Sequence, residues 1–212
     1  MTDDLIARLA ADLKPVRSMA MQRLLLGAVL LSGIVAVIGM TMWLGMRPDM
    51  ETARTTMMFW SKFSYTLAVA ILGGCATLVL ARPDGRTRWP WLAAVGLISL
   101  LLIGAAIQLA RAEPDDMMPM VFGGTAIIGP LRIIVLSLPV LFAALLVLRR
   151  FAPANPTLAG FAAGIMAGGT GAWVYSFACG ENGMMFVALF YTLGMLIVGG
   201  LGAVLGRFLL RW

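Results

Sequence analysis

Leu24 to Met46 reads LLLGAVLLSGIVAVIGMTMWLGM, an apolar run without a charge inside it. It exceeds the roughly 20 residues a helix needs to cross the hydrocarbon core of a bilayer. Working outward, five further stretches of similar length and polarity follow, at about 59–81, 91–110, 127–148, 157–177 and 184–206. Lys62 stands near one end of the second, Trp89 and Trp91 open the third as an interfacial aromatic pair, and Pro130, Arg132 and Pro139 lie within the fourth. Composition agrees: 61% of the 212 residues are hydrophobic and 12% charged, where soluble domains run near about 50% and about 25%. The predicted fold class is an all-α membrane protein. A six-transmembrane-helix bundle over 24–212 follows a polar head over 1–23, and no connection is long enough to form another domain.

The net charge of +6 invites a nucleic-acid reading, but the basic residues flank the apolar runs, where they orient spans. No direct contact with nucleic acid is expected. With the N-terminus inside, one side holds Arg8, Lys14, Arg17 and Arg23, then Arg82, Arg86 and Arg88, then Arg149 and Arg150, then Arg207 and Arg211. The other side keeps Arg47, Arg54 and Arg111. The asymmetry places both termini in the cytoplasm of a multi-pass protein. The head is too polar and long for a cleavable signal.

Within the head, Thr2 can cap a helix, Asp3 and Asp4 fall in its first turn, and Pro15 ends it. Leu5, Ile6, Leu9 and Leu13 recur on one face of a 3.6-residue period, with Asp4, Arg8 and Lys14 opposite. The Asp4–Arg8 and Arg8–Asp12 pairs each contribute only about 0.2 to 0.5 kcal/mol. A helix this short is not stable alone in water, so it lies on the bilayer or folds against a partner.

Few residues suggest chemistry. There is no histidine, and no zinc spacing, phosphate-cradling loop or nucleophile elbow, so neither an enzyme nor a metal or cofactor requirement is expected. Lys62 and Arg132 are read as side chains reaching for the nearer interface. The alternative for Arg132 is an ion pair to Glu113, Asp115, Asp116 or Glu181 that ties the outer loops together. Cys179, in Ala178-Cys179-Gly180-Glu181-Asn182, is expected in an outer loop where a thiol meets oxidants or soft metals. Cys75 sits well inside the second span, about 20 Å away at 1.5 Å per residue, too far for a disulfide. Gly160, Gly164 and Gly168, with Gly202 and Gly206, give small-xxx-small spacing. This predicts close packing within the chain, a seam between two copies being the alternative.

Several stretches resemble one family. Asp3-Asp4-Leu5-Ile6, Leu9-Ala10-Ala11-Asp12 and Pro15-Val16-Arg17 at the start are similar to the NrsF-type integral membrane anti-sigma factors. So are Leu136-Ser137-x-Pro139, Leu148-Arg149-Arg150-x-Ala152-Pro153, Tyr175 through Cys179-x-Glu181, Tyr191-x-Leu193-Gly194 and the terminal Leu209-Leu210-Arg211-Trp212. The resemblance implies a bacterial inner-membrane protein that holds an extracytoplasmic-function sigma factor inactive at the cytoplasmic face and releases it on an envelope or stress signal. Asp3, Asp4, Leu5, Ile6, Leu9, Asp12, Leu13, Pro15, Val16 and Arg17 would then form the sigma-binding segment, and Cys179, Glu181 and Arg132 the sensing group. Two departures stand out. The family's His-Cys-Pro-Glu reads Ala178-Cys179-Gly180-Glu181 here, and no second cysteine precedes Leu136, leaving at most a single sensing thiol. The competing function is a small transporter or channel with the head as interfacial anchor. The lack of acidic residues at bilayer depth and of a clear inverted repeat argues against it.

Overall fold

The computed structural model describes residues 20–82, 89–151 and 153–211. Its organising element is a helix that carries hardly any large side chains, Pro156–Tyr175, with the sequence PTLAGFAAGIMAGGTGAWVY. Asn155 starts it by accepting a hydrogen bond from the Leu158 N–H at 3.0 Å, and Pro156 occupies the first turn, where a missing N–H costs nothing. Small residues on three sides of this helix let three neighbours reach its backbone. A Cβ added at Gly160 would strike the Gly202 carbonyl oxygen, and one at Gly164 the Val198 carbonyl oxygen. One at Gly169 would lie 2.6 Å from the Ala70 nitrogen, and one at Gly171 would strike the Ser137 hydroxyl.

Around it the chain runs α1 (Ala20–Trp43), α2 (Met50–Ala53), α3 (Met57–Leu80), α4 (Trp89–Ala110), α5 (Pro114–Phe122), α6 (Ile128–Leu148), α7 (Pro156–Tyr175) and α8 (Met184–Leu209). Six of these are long and apolar enough to cross a membrane, and no strand occurs among the described residues. The protein is thus an all-α, multi-pass membrane protein. Helix α7 packs on α8, α3 and α6, and α1 leans chiefly on α6. Helix α4, the least buried span, touches α3 and the start of α8. One end of the bundle gathers residues 44–56, 111–127 and 176–183, here called the loop end. The other, basic end carries Arg23, Arg82, Arg149, Arg150 and Arg207.

Two apolar clusters fill the interior. Near the basic end Val140, Leu141, Ala144 and Leu145 of α6 meet Ala159, Ala163 and Ala167 of α7. Toward the loop end Ile133, Leu136, Tyr175, Phe186, Tyr191 and Met195 pack together. Buried hydroxyls return to carbonyls of their own helix, as Ser137 does to Ile133 at 2.6 Å and Thr77 to Gly73 at 2.7 Å, so they cost little in an apolar setting.

The small-residue spacing read from the sequence is used inside one chain, between α7 and α8. Pro130 and Pro139 do not break the fourth span: Pro130 falls in the opening turn of α6, where its N–H is not needed, and the helix continues through Pro139. Residues 20–23, a turn ahead of Leu24, are already helical in α1, and Met21 packs against the same core as Leu25. Helices α2 and α5 and a π-turn at Val187–Tyr191 inside α8 had no counterpart in the reading of the spans. The amphipathic helix expected within 1–23 lies, up to residue 19, outside the described residues.

Gly202→Val and Gly160→Val should force α7 and α8 apart, costing about 1 to 3 kcal/mol each through overpacking. Gly200→Ala, where an added Cβ meets nothing within 4 Å, should be neutral. Unfolding midpoints of the purified protein in detergent check the contrast.

Candidate functional site

Helix α7 ends at Tyr175, and its last carbonyls point into residues 176–183 at the loop end. Backbone N–H groups of Ser176 to Cys179 already bond the carbonyls of Ala172 to Tyr175, so the acceptors left over belong to the loop itself, where the negative end of the helix dipole favours cations. Two cations are supplied. Lys62 of α3 donates from Nζ to the Cys179 carbonyl at 3.0 Å and to the Glu181 carbonyl at 3.1 Å. Arg47, just after α1, donates to the same Cys179 carbonyl at 3.2 Å, while its backbone N–H bonds the Phe177 carbonyl at 3.2 Å. The Arg47 guanidinium also holds the Asp49 carboxylate through two bonds of 2.8 and 2.6 Å. That contact keeps the Asp49 carboxyl below the ordinary carboxylate range and raises Arg47.

The same loop is gripped from two further elements. Gln108 of α4 donates to the Asn182 carbonyl at 3.3 Å and accepts from the Met184 N–H at 2.7 Å. The Glu181 carboxylate accepts from the Gly124 N–H at 2.9 Å and the Thr125 hydroxyl at 3.1 Å. Gly123 is required there twice over: its φ of +55° suits glycine, and a Cβ would come within 2.5 Å of the carboxylate. Residues 176–183 are therefore the knot that ties the other loops of this end together.

Aromatic rings brace the knot. Phe63 of α3, Trp173 of α7 and Phe177 lie with centroids 5.2 to 6.0 Å apart, and Phe59 joins them. Lys62 sits 5.9 Å above the Tyr191 ring at the end of the π-turn. The Tyr191 hydroxyl and the Trp173 indole N–H, both enclosed, have no hydrogen-bond partner among the described residues.

Two expectations and one alternative change. Lys62 does not reach for the interface: it is 1% exposed, because the carbonyls beyond α7 solvate its ammonium inside the protein. Arg132 makes no ion pair with Glu113, Asp115, Asp116 or Glu181 among the described residues. Its guanidinium approaches the Tyr175 hydroxyl at 3.5 Å, and Glu181 is occupied by the Gly124–Thr125 turn. Cys179 is not an exposed thiol: it is 3% exposed in the knot. Both cysteines are free, and Cys75 stands thirteen residues along α3 from Lys62, about 20 Å at 1.5 Å per residue. Arg47, Gln108 and Thr125 were missed as contributors. Nothing in the sequence marked those three, whereas Cys179, Glu181 and Lys62, a lysine inside an apolar span, were singled out by the residues themselves. Asp3, Asp4, Leu5, Ile6, Leu9, Asp12, Leu13, Pro15, Val16 and Arg17 lie outside the described residues.

Fold and site together define an integral membrane protein of six helical spans whose buried cations organise loop backbone at one end. The sequence profile described as "NrsF: Negative regulator of sigma F" matches residues 9–212, and the chain belongs to that family. Two curated relatives align end to end, each over 213 residues that cover 100% of this chain and 99% of the relative. The "Anti-sigma-F factor NrsF" of Caulobacter vibrioides (strain NA1000 / CB15N) is 38% identical, and the "Probable anti-sigma-F factor NrsF" of Azospira oryzae (strain ATCC BAA-33 / DSM 13638 / PS) is 40% identical. No solved structure matches the chain.

Lys62→Met should leave the Cys179 and Glu181 carbonyls short of a donor, a loss of about 1 to 3 kcal/mol. In a Cys75→Ser background, maleimide labelling of Cys179 should then accelerate about tenfold or more. For Asp49, the folded carboxyl titrates below its ordinary value of 3.8, so its pairing stabilises above that value and is lost as pH falls through the folded one. The difference in unfolding midpoint between Asp49→Asn and the parent should be constant from about pH 8 to about pH 5 and shrink below about pH 4.

Proposed function

We propose that this chain is a membrane anti-sigma factor that sequesters an extracytoplasmic-function sigma factor in the cytoplasm through its N-terminal head. The observation that carries the reading is end-to-end similarity to a protein named an anti-sigma-F factor. The head adds a chemical rationale. Leu5, Ile6, Leu9 and Leu13 form an apolar stripe for a groove on the sigma factor, and Asp3, Asp4 and Asp12 meet basic surface that otherwise serves DNA or polymerase. Pro15, Val16 and Arg17 close the segment before the first span. The other basic-end segments, Arg82 to Pro90, Arg149 to Pro156 and Arg207 to Trp212, are short and basic and offer little apolar surface. The protein resides in the bacterial inner membrane with both termini cytoplasmic, an orientation supported by the arginine distribution.

Release begins at the opposite end. The signal acts on the knot around Cys179 and Glu181, with Arg132 beside Tyr175, and a change there reaches α7 directly because the knot continues that helix. Helix α7 then passes the change to the helices packed on its glycines. The reading requires no cofactor.

Leu9→Asp should weaken sigma binding by about 2 kcal/mol or more, about thirtyfold in affinity. At equal membrane level it should release transcription from the sigma factor's promoters as fully as deletion of residues 2–15. Full repression by the deletion variant would refute the assignment of the head. Cys179→Ser should alter induction and Cys75→Ser should not. Topology reporters at Arg86 and Trp212 should read cytoplasmic, and one at Asp116 should read outside.

A further inference from the structure

Helices α1 and α3 lean on different neighbours, α1 on α6 and α3 on α7. Between them they leave a groove of about 640 Å³, open to the side of the bundle and floored by α7 from Met166 to Val174. Leu26, Leu30 and Ile34 form one wall, and Leu67, Ile71 and Leu78 the other. From Gln22 to Ile38 the α1 wall runs about 24 Å at 1.5 Å per residue. Thr170 on the floor has its hydroxyl bonded to the Met166 carbonyl at 2.9 Å and the Trp173 indole N–H is enclosed, so the groove offers mainly hydrocarbon contact.

The two walls end alike. Arg23 precedes Leu26 by three residues and Leu30 by seven, while Arg82 follows Leu78 by four and Ile71 by eleven. Arg23 therefore continues the groove-lining stripe of α1 by one turn, while Arg82 lies two residues past the end of α3 at Leu80, its N–H bonded to the Val79 carbonyl at 3.2 Å. Both are exposed, and neither makes an ion pair among the described residues. Gln22, which lines the groove itself, adds a polar group at the same mouth.

The geometry points to one anionic phospholipid as the occupant, with an acyl chain between α1 and α3 and its phosphodiester between Arg23 and Arg82. A hydrocarbon-lined groove about 24 Å long, at 1.5 Å per residue along α1, suits one extended acyl chain. On the orientation proposed above, the mouth opens in the cytoplasmic leaflet, whose anionic lipids attract arginine. A lipid here supplies the packing partner that α1 lacks on its α3 side. It also stands beside the start of the helix that follows the head.

Native mass spectrometry of the purified full-length protein, in mild detergent with equal phosphatidylglycerol and phosphatidylcholine, tests this without any sigma factor. The parent should retain phosphatidylglycerol in preference to phosphatidylcholine. In Arg23→Gln/Arg82→Gln that preference should fall about fivefold for each arginine removed. Gly33→Leu/Gly74→Leu should abolish retention of either lipid. A Cβ at Gly33 meets nothing within 4 Å and one at Gly74 meets only the flexible Met166 side chain, at 3.5 Å and beyond, so the added bulk enters the groove. Absence of preference in the parent, or undiminished retention in the filled groove, overturns the proposal. A phosphatidylglycerol with a photoreactive acyl chain provides a readout in the parent alone: adducts should map to residues 22–38 and 67–78, and adducts confined elsewhere overturn it. A Cys75–Cys75 cross-link between copies in membranes would place a second chain in the groove and overturn it as well.

Discussion

Backbone contact between α7 and α8 organises the whole bundle. In lipid, apolar side chains gain nothing by leaving one apolar surface for another, so helices associate through the closeness of their atoms. Gly160 and Gly164 face Gly202, Val198 and Gly199 so closely that no side chain fits between the backbones. The same economy on two other sides of α7 admits Ala70 of α3 and Ser137 of α6. A helix of small residues thereby becomes the centre of the bundle, and the bulky residues of its neighbours turn outward or fill the two apolar clusters.

A central helix must also end somewhere, and its end sets the chemistry of the loop side. The final carbonyls of α7 are bonded by the backbone N–H groups of residues 176–179, which leaves the enclosed carbonyls of the loop itself in need of donors. The protein meets that need at Cys179 and Glu181 with the ammonium of Lys62 and the guanidinium of Arg47. The arrangement makes four separate connections depend on one short loop. Cys179 lies at its middle, with its carbonyl shared by two cations and its thiol enclosed. A thiol so placed is not exposed to chance reagents, and any modification of it must disturb the contacts that join the first, second and third spans to the fifth. This is why the loop suits a regulatory protein whose partner is proposed to bind at the far end.

The peripheral helices complete the picture. Helix α1 holds on to α6 and leaves its α3-facing side to the bilayer, and α4 is mostly lipid-facing. Helices held this lightly can shift without dismantling the α7–α8 core, and α1 is the one that follows the head directly. The groove beside it is thus where lipid composition meets the element closest to the proposed sigma-binding segment.

The sequence by itself determined the six spans, because a bilayer requires every backbone group of a crossing segment to bond within that segment, and a run of about 20 apolar residues has no other stable form there. It also made the glycine spacing on the fifth and sixth spans legible, since a period of four residues keeps them on one helix face. The stripe of Leu5, Ile6, Leu9 and Leu13 and the family likeness were likewise read from the residues alone. Only the tertiary structure decided that Lys62 is buried rather than drawn to the interface, since its acceptors come from residues 117 and 119 positions away. It alone decided that Glu181 serves a turn at Gly124 rather than Arg132, and that Cys179 is enclosed. A charge at bilayer depth announces that a partner is needed, but the partners are carbonyl oxygens, which every residue carries, and only the packing of distant segments selects which of them come within 3 Å.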